Sequence, residues 1–513
     1  MADFLLSYSF LLLLMRVYQH WFLALVLTLT PFLRAVPGAH ASRSSTSVEG
    51  SQIAPKVSAR IQVLLRPKAA WAQHQQPAVD LKEARSFYTK RRFLPAWSTG
   101  LEPNATGRAA LALLVGAEDY GLQPSAYHAS ALLALTDSIT WPTSVARQQA
   151  QQARFEVLLT DGLLQFAKHL RRGQLHAFVP SPLEKAEGPF DPAVWVSSAL
   201  EAPDFAAALL RCQPRHREYQ QLQQALVRWR RQPKGPDSVA RQRKTEQIAL
   251  TLERWRWDAI PDSSYVLVSL AAHTMEVVDN GRVRQTHRLV VGRPDSPTPT
   301  LSSRLTSFTV APEWHVPHSI ATTEILPYLK ENAKYPSEHD FLAENNYSLY
   351  DAKGRRLDPK TVKWQHVTAK NFPYSIRQNP GCGNTLGNII FRFANPYSVY
   401  LHATSETSDF ELTNRALGHG CMRTERPMRL ASYLLGPDST SVALPSEAEC
   451  EAAPKPRTIT LKRPIAFHIR YATCAVVAGE LKFYPDVYGR DEALRRQLFA
   501  PQNSPRLPVA PIE

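Results

Sequence analysis

The sequence predicts an α+β protein, with a mainly helical N-terminal part followed by a mostly β C-terminal part. Between Phe155 and Leu170 the apolar residues recur at helical spacing and share one face. From Tyr265 onward the pattern changes to short segments rich in β-branched residues. The 513 residues exceed what one hydrophobic core organises, so two or three domains are expected. An apolar share of 44% excludes wholesale disorder.

The N-terminus has the layout of an export signal. The apolar run Trp21–Leu33 is short for a membrane span, Arg16 precedes it, and Ala39 and Ala41 form a small-x-small cleavage pattern. We therefore predict a signal peptide over residues 1–41, with Met15 as a second candidate start. The alternative is an uncleaved anchor. Either way the bulk of the chain is expected in the periplasm or cell envelope.

Residues 42–60 are polar and Ser-rich, which is typical of a linker that need not fold. Residues 61–250 are expected to be helical, since Ala109–Val115 consists largely of Ala and Leu and Phe155–Leu170 is amphipathic. The favoured interpretation is a packing domain without chemistry of its own.

A basic stretch follows within residues 211–256, which hold twelve Lys and Arg against four Asp and Glu. Such charge suits a nucleic acid, but predicted export and the lack of a recognisable reader motif argue against one. An anionic cell envelope is the better partner. A solvated helical face explains the charge equally well.

The C-terminal part predicts a sheet. Asn280-Gly281 between Thr274–Asp279 and Arg282–Val291 is a type I′ hairpin signal. Further strands are expected at Tyr265–Ala271, Ile389–Phe393, Ile465–Tyr471 and Cys474–Phe483, and a helix at Pro427–Leu435. The glycine-rich residues 377–387 lack the Gly-Lys-Ser/Thr that a phosphate-binding loop needs.

The five cysteines are Cys212, Cys382, Cys421, Cys450 and Cys474. This number is small and odd, so the chain has no disulfide framework and at least one thiol stays free in a monomer. A pair between Cys450 and Cys474 is left open, as is a redox role for Cys382.

One segment carries chemistry. The alternating Tyr397, Val399 and Leu401 predict a strand ending at His402, and a polar loop leads to His419-Gly420-Cys421. A thiol, an imidazole to take its proton, and a glycine that lets the backbone approach a carbonyl are the parts of a cysteine acyl-transfer site.

Other interpretations compete at this segment. A lone Cys or His is usually structural. A zinc site formed by His402, His419 and Cys421 is a second alternative, but the sequence shows neither a Cys-x-x-Cys pair nor an evident fourth ligand. We therefore expect neither metal nor cofactor.

The segment resembles the signature of the L,D-transpeptidases of bacterial cell walls. That signature is a His, about fifteen residues, then Ser/Thr-His-Gly-Cys, a hydrophobic residue and Arg or Asn. Here residues 403–417 separate His402 from Gly418, and His419-Gly420-Cys421-Met422-Arg423 complete the pattern. Gly418 departs from it, which removes a hydroxyl but not the thiol.

The resemblance implies a domain plan. Residues 61–250 are similar to the scaffold domain of large family members, on stretches 87–97 and 117–122. Residues 251–490 correspond to the catalytic domain, with a capping subdomain inserted at about 319–372, and 491–513 form a tail.

The resemblance also implies roles. Cys421 as a thiolate attacks a donor stem peptide at the carbonyl between an L-centre and D-Ala, with His402 as proton acceptor and donor. The Ala403 carbonyl orients His402, backbone N–H groups near Gly420 hold the oxyanion, and His419 supports the site. A short helix behind the thiol favours its anion if aligned with it. Substrate-binding candidates are Arg423, Tyr400 and Trp314.

The implied partners are donor and acceptor stem peptides of peptidoglycan, with cell-wall synthesis proteins beside them. No nucleic acid is expected, and membrane contact only if the N-terminal segment is uncleaved. Two other functions stay open: an L,D-carboxypeptidase or hydrolase acting on stem peptides or wall-attached protein, and a non-catalytic wall-binding protein.

Overall fold

A computed structural model describes residues 46–75, 77–140, 144–175, 189–233, 237–257, 260–335, 340–381, 383–436, 444 and 455–499. The predicted signal peptide, Cys382 and Cys450 lie outside the described residues. Residues from Gln52 onward form one compact unit. No helix in the described part of the chain has the length and apolarity to cross a bilayer.

The N-terminal part is helical, and the longest described helix, α6, is at its centre. The helices are α1 (Thr46–Leu64), α2 (Ala70–Gln73), α3 (Leu81–Lys90), α4 (Ala105–Val115), α5 (Ala129–Thr140), α6 (Val145–Arg172), α7 (Pro192–Leu200) and α8 (Phe205–Leu210), with a small hairpin of β1 (Ser98–Thr99) and β2 (Glu102–Pro103). Leu159 and Phe166 of α6 are fully buried against the surrounding helices. The amphipathic face therefore forms the core of this part.

A buried carboxylate also ties this core together. Glu156 on α6 accepts hydrogen bonds from the hydroxyls of Tyr88 and Ser98, at 2.6 and 2.5 Å, and from the backbone N–H groups of Ala96 and Trp97. Burial raises the pKa of Glu156, and these four donors oppose that shift.

The linker prediction for residues 42–60 is wrong from Thr46 onward, where α1 begins. Val57, Ile61 and Leu65 recur every four residues and are buried in the helical core. Their shared face explains why this polar, Ser-rich segment is helical.

Two further helices, α9 (Arg217–Arg231) and α10 (Ser238–Trp257), connect the helical part to the sheet. Tyr219 and Leu252 share a buried cluster with Leu267 and Val278 of the sheet. The helix α10 continues across the predicted boundary at residue 250, so no break in structure occurs there.

The prediction of a tail from residue 491 is also wrong over its first nine residues. They form the final described helix, α15 (Asp491–Phe499). Leu494 and Leu498 pack against Leu250 of α10, and Asp491 accepts from Arg254 at 2.6 Å.

The C-terminal part is a nine-stranded mixed sheet, which confirms the α+β class. Its strands are β3 (Ser264–Ser269), β4 (Thr274–Asp279), β5 (Arg282–Gly292), β6 (Leu301–Val310), β11 (Ile389–Phe393), β12 (Leu401–His402), β13 (Ala416–Gly418), β14 (Met422–Thr424) and β15 (Arg457–Arg470). Their order in the sheet is β13-β5-β14-β12-β11-β6-β15-β3-β4, and β4 pairs again with β5, so the sheet closes on itself. Strands β16 (Cys474–Val477) and β17 (Glu480–Phe483) form a separate hairpin. Helix α14 (Pro427–Leu435) follows β14.

A second, four-stranded sheet accompanies the segment predicted to form a cap. Its order is β7-β10-β8-β9, from Trp314–His315, Ser375–Gln378, Tyr347–Tyr350 and Arg356–Leu357. The helices here are α11 (His318–Ile320), α12 (Leu326–Lys334) and α13 (Phe341–Glu344), with a π-helical turn at Ala321–Ile325. Leu329, Leu349 and Ile376 are buried in its own core.

Candidate active site

The pairing of β12 with β14 brings the two halves of the His–Cys segment together. The strands are parallel, with Leu401 opposite Met422 and His402 opposite Arg423. Cys421 therefore lies beside Tyr400, at the roughly 4.8 Å spacing of neighbouring strands. The N–H of Met422 donates to the carbonyl of Tyr400 at 3.0 Å and fixes this register.

The strand before His402 is shorter than its alternating pattern predicts. Asn395 accepts hydrogen bonds from the N–H groups of Tyr397 and Val399, and Ser398 has a positive φ of 56°. Because residues predicted to form the strand belong to this turn instead, β12 contains only Leu401 and His402.

A cavity of about 490 Å³ lies at the ends of these strands. It is lined by six of the eight predicted site residues, namely Trp314, Tyr400, His402, His419, Cys421 and Arg423. Gly420 and Ala403 do not line it; they contribute backbone groups behind it. The segment predicted to form a cap supplies further lining residues, among them Ile320, Thr323 and Glu324.

His402 is buried, with 4% of its surface exposed. Its Nδ1 lies 2.5 Å from the carbonyl oxygen of Ala403. A carbonyl only accepts, so Nδ1 carries the proton and Nε2 is the basic nitrogen of the neutral ring. Burial lowers the pKa of His402 to about 4, and the charge of Arg423 acts in the same direction.

Cys421 is a free, half-buried thiol. Burial raises its pKa above the ordinary value of 9.0, while a hydrogen bond from the backbone of Tyr400 lowers it. Burial therefore favours the neutral thiol of Cys421 and the neutral imidazole of His402 over their charged forms.

His419 connects the turn that carries Cys421 to Glu324 of the predicted cap segment. Its Nε2 lies 2.8 Å from an Oε1 of Glu324 and 3.2 Å from Nη1 of Arg293, which also pairs with Asp295. Sequence reasoning missed Glu324 and Arg293, because residues 293 and 324 are far from the motif along the chain.

Arg423 contacts the loop that follows His402. Its Nη1 donates to Glu406 at 2.9 Å and to Asp409 at 2.8 Å. Both carboxylates belong to the loop between β12 and β13. Arg423 therefore holds this loop in place, and because it also lines the cavity its role in substrate binding stays a prediction.

The cavity wall includes the two predicted aromatic residues. Trp314 is buried and packs in a small cluster with Leu386 and Ile390, which Tyr400 also contacts. The Tyr400 ring lies 6.4 Å from that of His402. Among the described residues no group of three or more His, Cys, Asp and Glu side chains is arranged to hold a metal ion.

Two protein-family models match this chain. A scaffold-domain model matches residues 82–226, and an L,D-transpeptidase catalytic-domain model matches residues 263–444. The chain therefore contains an L,D-transpeptidase catalytic domain. The catalytic-domain match includes His402, Cys421 and most of the elements around the cavity.

One relative is a candidate L,D-transpeptidase of Haemophilus influenzae, 26% identical over 414 residues that cover 80% of this chain and 78% of that protein. A second relative is L,D-transpeptidase 1 of Mycobacterium tuberculosis, known from a crystal structure, with 16% sequence identity. The match covers 42% of this chain and 64% of that protein's chain, which is less than two thirds of its length. Its TM-score of 0.17 is too low to support a comparison of folds.

Proposed function

We propose that this protein is a peptidoglycan L,D-transpeptidase that crosslinks stem peptides through a thioester on Cys421. The observation that carries the proposal is the cavity that exposes both Cys421 and His402, with the His402 ring held so that Nε2 is its base. Its volume of about 490 Å³ falls in the range that binds a short peptide segment.

Because burial favours a neutral thiol and a neutral imidazole, we propose that proton transfer accompanies the attack. As the sulfur of Cys421 adds to the donor carbonyl, His402 Nε2 takes the thiol proton. The tetrahedral intermediate then breaks its C–N bond, and His402 returns the proton to the D-Ala amine, which leaves. A thioester remains on Cys421.

The second half reverses these transfers. The amine of an acceptor stem attacks the thioester carbonyl and gives a proton to His402. The C–S bond breaks, the thiolate sulfur regains that proton, and a new amide links the two stems. A placed base typically contributes 10²–10⁴-fold to such steps, and each oxyanion donor about 2.7–4 kcal/mol.

We further propose that these steps take place in the cell envelope, where stem peptides are found. The support is the N-terminal signal pattern in residues 1–41 and the excess of basic charge. Cell-wall synthesis proteins are the macromolecular partners this location implies.

The test is incubation of the purified protein with a synthetic donor stem ending in D-Ala and an amine-bearing acceptor stem, followed by mass spectrometry. We expect a crosslinked dimer with the wild type, none with Cys421→Ala, and undiminished product with Cys212→Ala, which removes a buried thiol of the helical part. A trimmed donor without dimer would instead indicate the hydrolase. Product from Cys421→Ala would refute the thioester.

A further inference from the structure

Beneath the turn His419–Cys421 lies a fully buried hydroxyl, that of Thr298. It accepts the N–H of Gly292 at 2.9 Å and donates to the carbonyl oxygen of Gly420 at 2.8 Å. Because an N–H only donates and a carbonyl only accepts, both directions of this hydroxyl are fixed. Thr298 thus connects the end of β5 to the residue that precedes the thiol.

This bond sets the orientation of one peptide plane. In a trans peptide the C=O of Gly420 and the N–H of Cys421 point in opposite directions. Thr298 holds the carbonyl on the protein side, so the N–H of Cys421 points away from it, towards the side where Cys421 lines the cavity. Gly420 has a φ of 107°, which suits glycine and makes this orientation accessible.

The support of Thr298 is itself tightly built. The hydroxyl of Tyr488 donates to the carbonyl of Gly292 at 2.8 Å and accepts the N–H of Thr298 at 3.3 Å. Its ring stacks on Tyr471 with centroids 5.4 Å apart. A Cβ at Gly292 would lie 2.2 Å from a backbone oxygen and 3.0 Å from the nitrogen of Gly420. The backbone segments at Gly292 and Gly420 are therefore as close as the absence of a side chain at residue 292 allows.

We propose that Thr298 is a positioning residue for the oxyanion hole: by holding the Gly420 carbonyl it aims the Cys421 N–H at the donor oxygen that becomes negative. This rests on the proposed function, because that oxygen gains charge only when sulfur adds to a carbonyl. Thr298 touches neither substrate nor thiol. Its effect is confined to reactions that pass through a tetrahedral intermediate.

That restriction defines the experiment. Acylation of Cys421 by a carbapenem requires addition to a carbonyl, whereas alkylation by iodoacetamide displaces iodide from carbon and forms no oxyanion. Both rates are measured at one pH on the wild type, Thr298→Val and Thr298→Ser. The control Thr251→Val removes another fully buried hydroxyl, on α10.

We expect Thr298→Val to slow acylation 10- to 100-fold and to leave alkylation within twofold of the wild type. Removing a whole oxyanion donor typically costs 10²–10³-fold, and here the donor is misaligned rather than lost. Thr298→Ser and Thr251→Val should acylate within threefold of the wild type. Tyr488→Phe, which removes the hydroxyl that supports Gly292, should give an intermediate loss and serves if Thr298→Val does not fold.

Equal slowing of both reactions in Thr298→Val would make Thr298 a structural residue and overturn the proposal. Unchanged acylation in Thr298→Val would overturn it as well, with the proposed function intact. A wild type that no carbapenem acylates would instead remove the proposed function and this inference together.

Discussion

The charge state of the resting thiol can be measured from the pH dependence of its alkylation. Iodoacetamide reacts with the thiolate, so its rate follows the ionised fraction of Cys421. Since burial raises the pKa of Cys421 above 9.0, less than about 1% is ionised at pH 7. Between pH 6 and pH 8 the alkylation rate should rise about 100-fold, tenfold per unit. An ion pair with His402 would instead give a fast, nearly constant rate over this range.

Peptide mapping by mass spectrometry assigns the alkylation to Cys421 and separates it from the other thiols. Cys212 and Cys474 are buried, and burial raises the pKa of each to about 12, so they should stay unmodified in the folded protein. Cys421→Ser is the blank. An alkylation rate of Cys421 that has already reached its maximum below pH 7 would refute a neutral thiol–imidazole pair with His402.

The variant His402→Gln sharpens this test. In a neutral pair the imidazole does not hold the thiolate, so alkylation at pH 7 should stay within about threefold of the wild type. Transpeptidation should fall 10²–10⁴-fold, because a glutamine cannot take the proton. With the pKa of His402 lowered to about 4, the wild-type rate should decline on the acid side near that pH rather than near 6.5. Parallel loss of alkylation and transpeptidation would indicate an ion pair.

Three further substitutions probe the supports of the site and of the core. Gly387→Ala places a Cβ 2.6 Å from that of Ala403 at a φ of 60°, so it should displace the carbonyl that holds the imidazole and lower kcat at least tenfold in the crosslinking assay, with thiol alkylation unchanged. Arg423→Gln removes both carboxylate contacts of the loop, and we expect faster hydrogen exchange there with a stability loss of no more than about 1 kcal/mol. Glu156→Gln places an NH₂ group against donors that need an acceptor. This should lower the free energy of unfolding, measured in urea, by on the order of 2–4 kcal/mol without altering kcat of the folded enzyme.

Local signals explain why much of the fold could be predicted. Helix α14 has the predicted bounds because Pro427 begins it and Gly436, at positive φ, ends it. Asn280 and Gly281 both have positive φ, as a type I′ turn requires, and join the two predicted strands. In each case the residues that specify the structure are adjacent in the sequence.

The unpredicted features depend on distant partners. Helix α15 begins just after the predicted catalytic domain of residues 251–490, and its apolar face is buried by contact with Leu250, which is distant in the sequence. The hydroxyl of Thr298 meets Gly420, 122 positions away, and Tyr488 meets Gly292 across 196. The local sequence Thr298-Pro299-Thr300 does not show which carbonyl the Thr298 hydroxyl meets. The motif thus indicates the reacting groups, whereas the residues that orient them require the fold.

The burial of Cys421 and His402 and the hydrogen bond from Thr298 to Gly420 both affect which reagents react with the thiol. A buried thiol that stays protonated reacts slowly with small electrophiles and oxidants, since these require the anion. A carbonyl donor in the cavity differs, because it presents an oxygen that the backbone N–H can stabilise while His402 removes the proton. Reactivity then depends on two aimed groups acting together in the transition state rather than on a thiolate present beforehand. If the proposed roles hold, selectivity for acyl transfer follows from the same burial that raises the thiol pKa, and the Thr298–Gly420 contact contributes one of the two aimed groups.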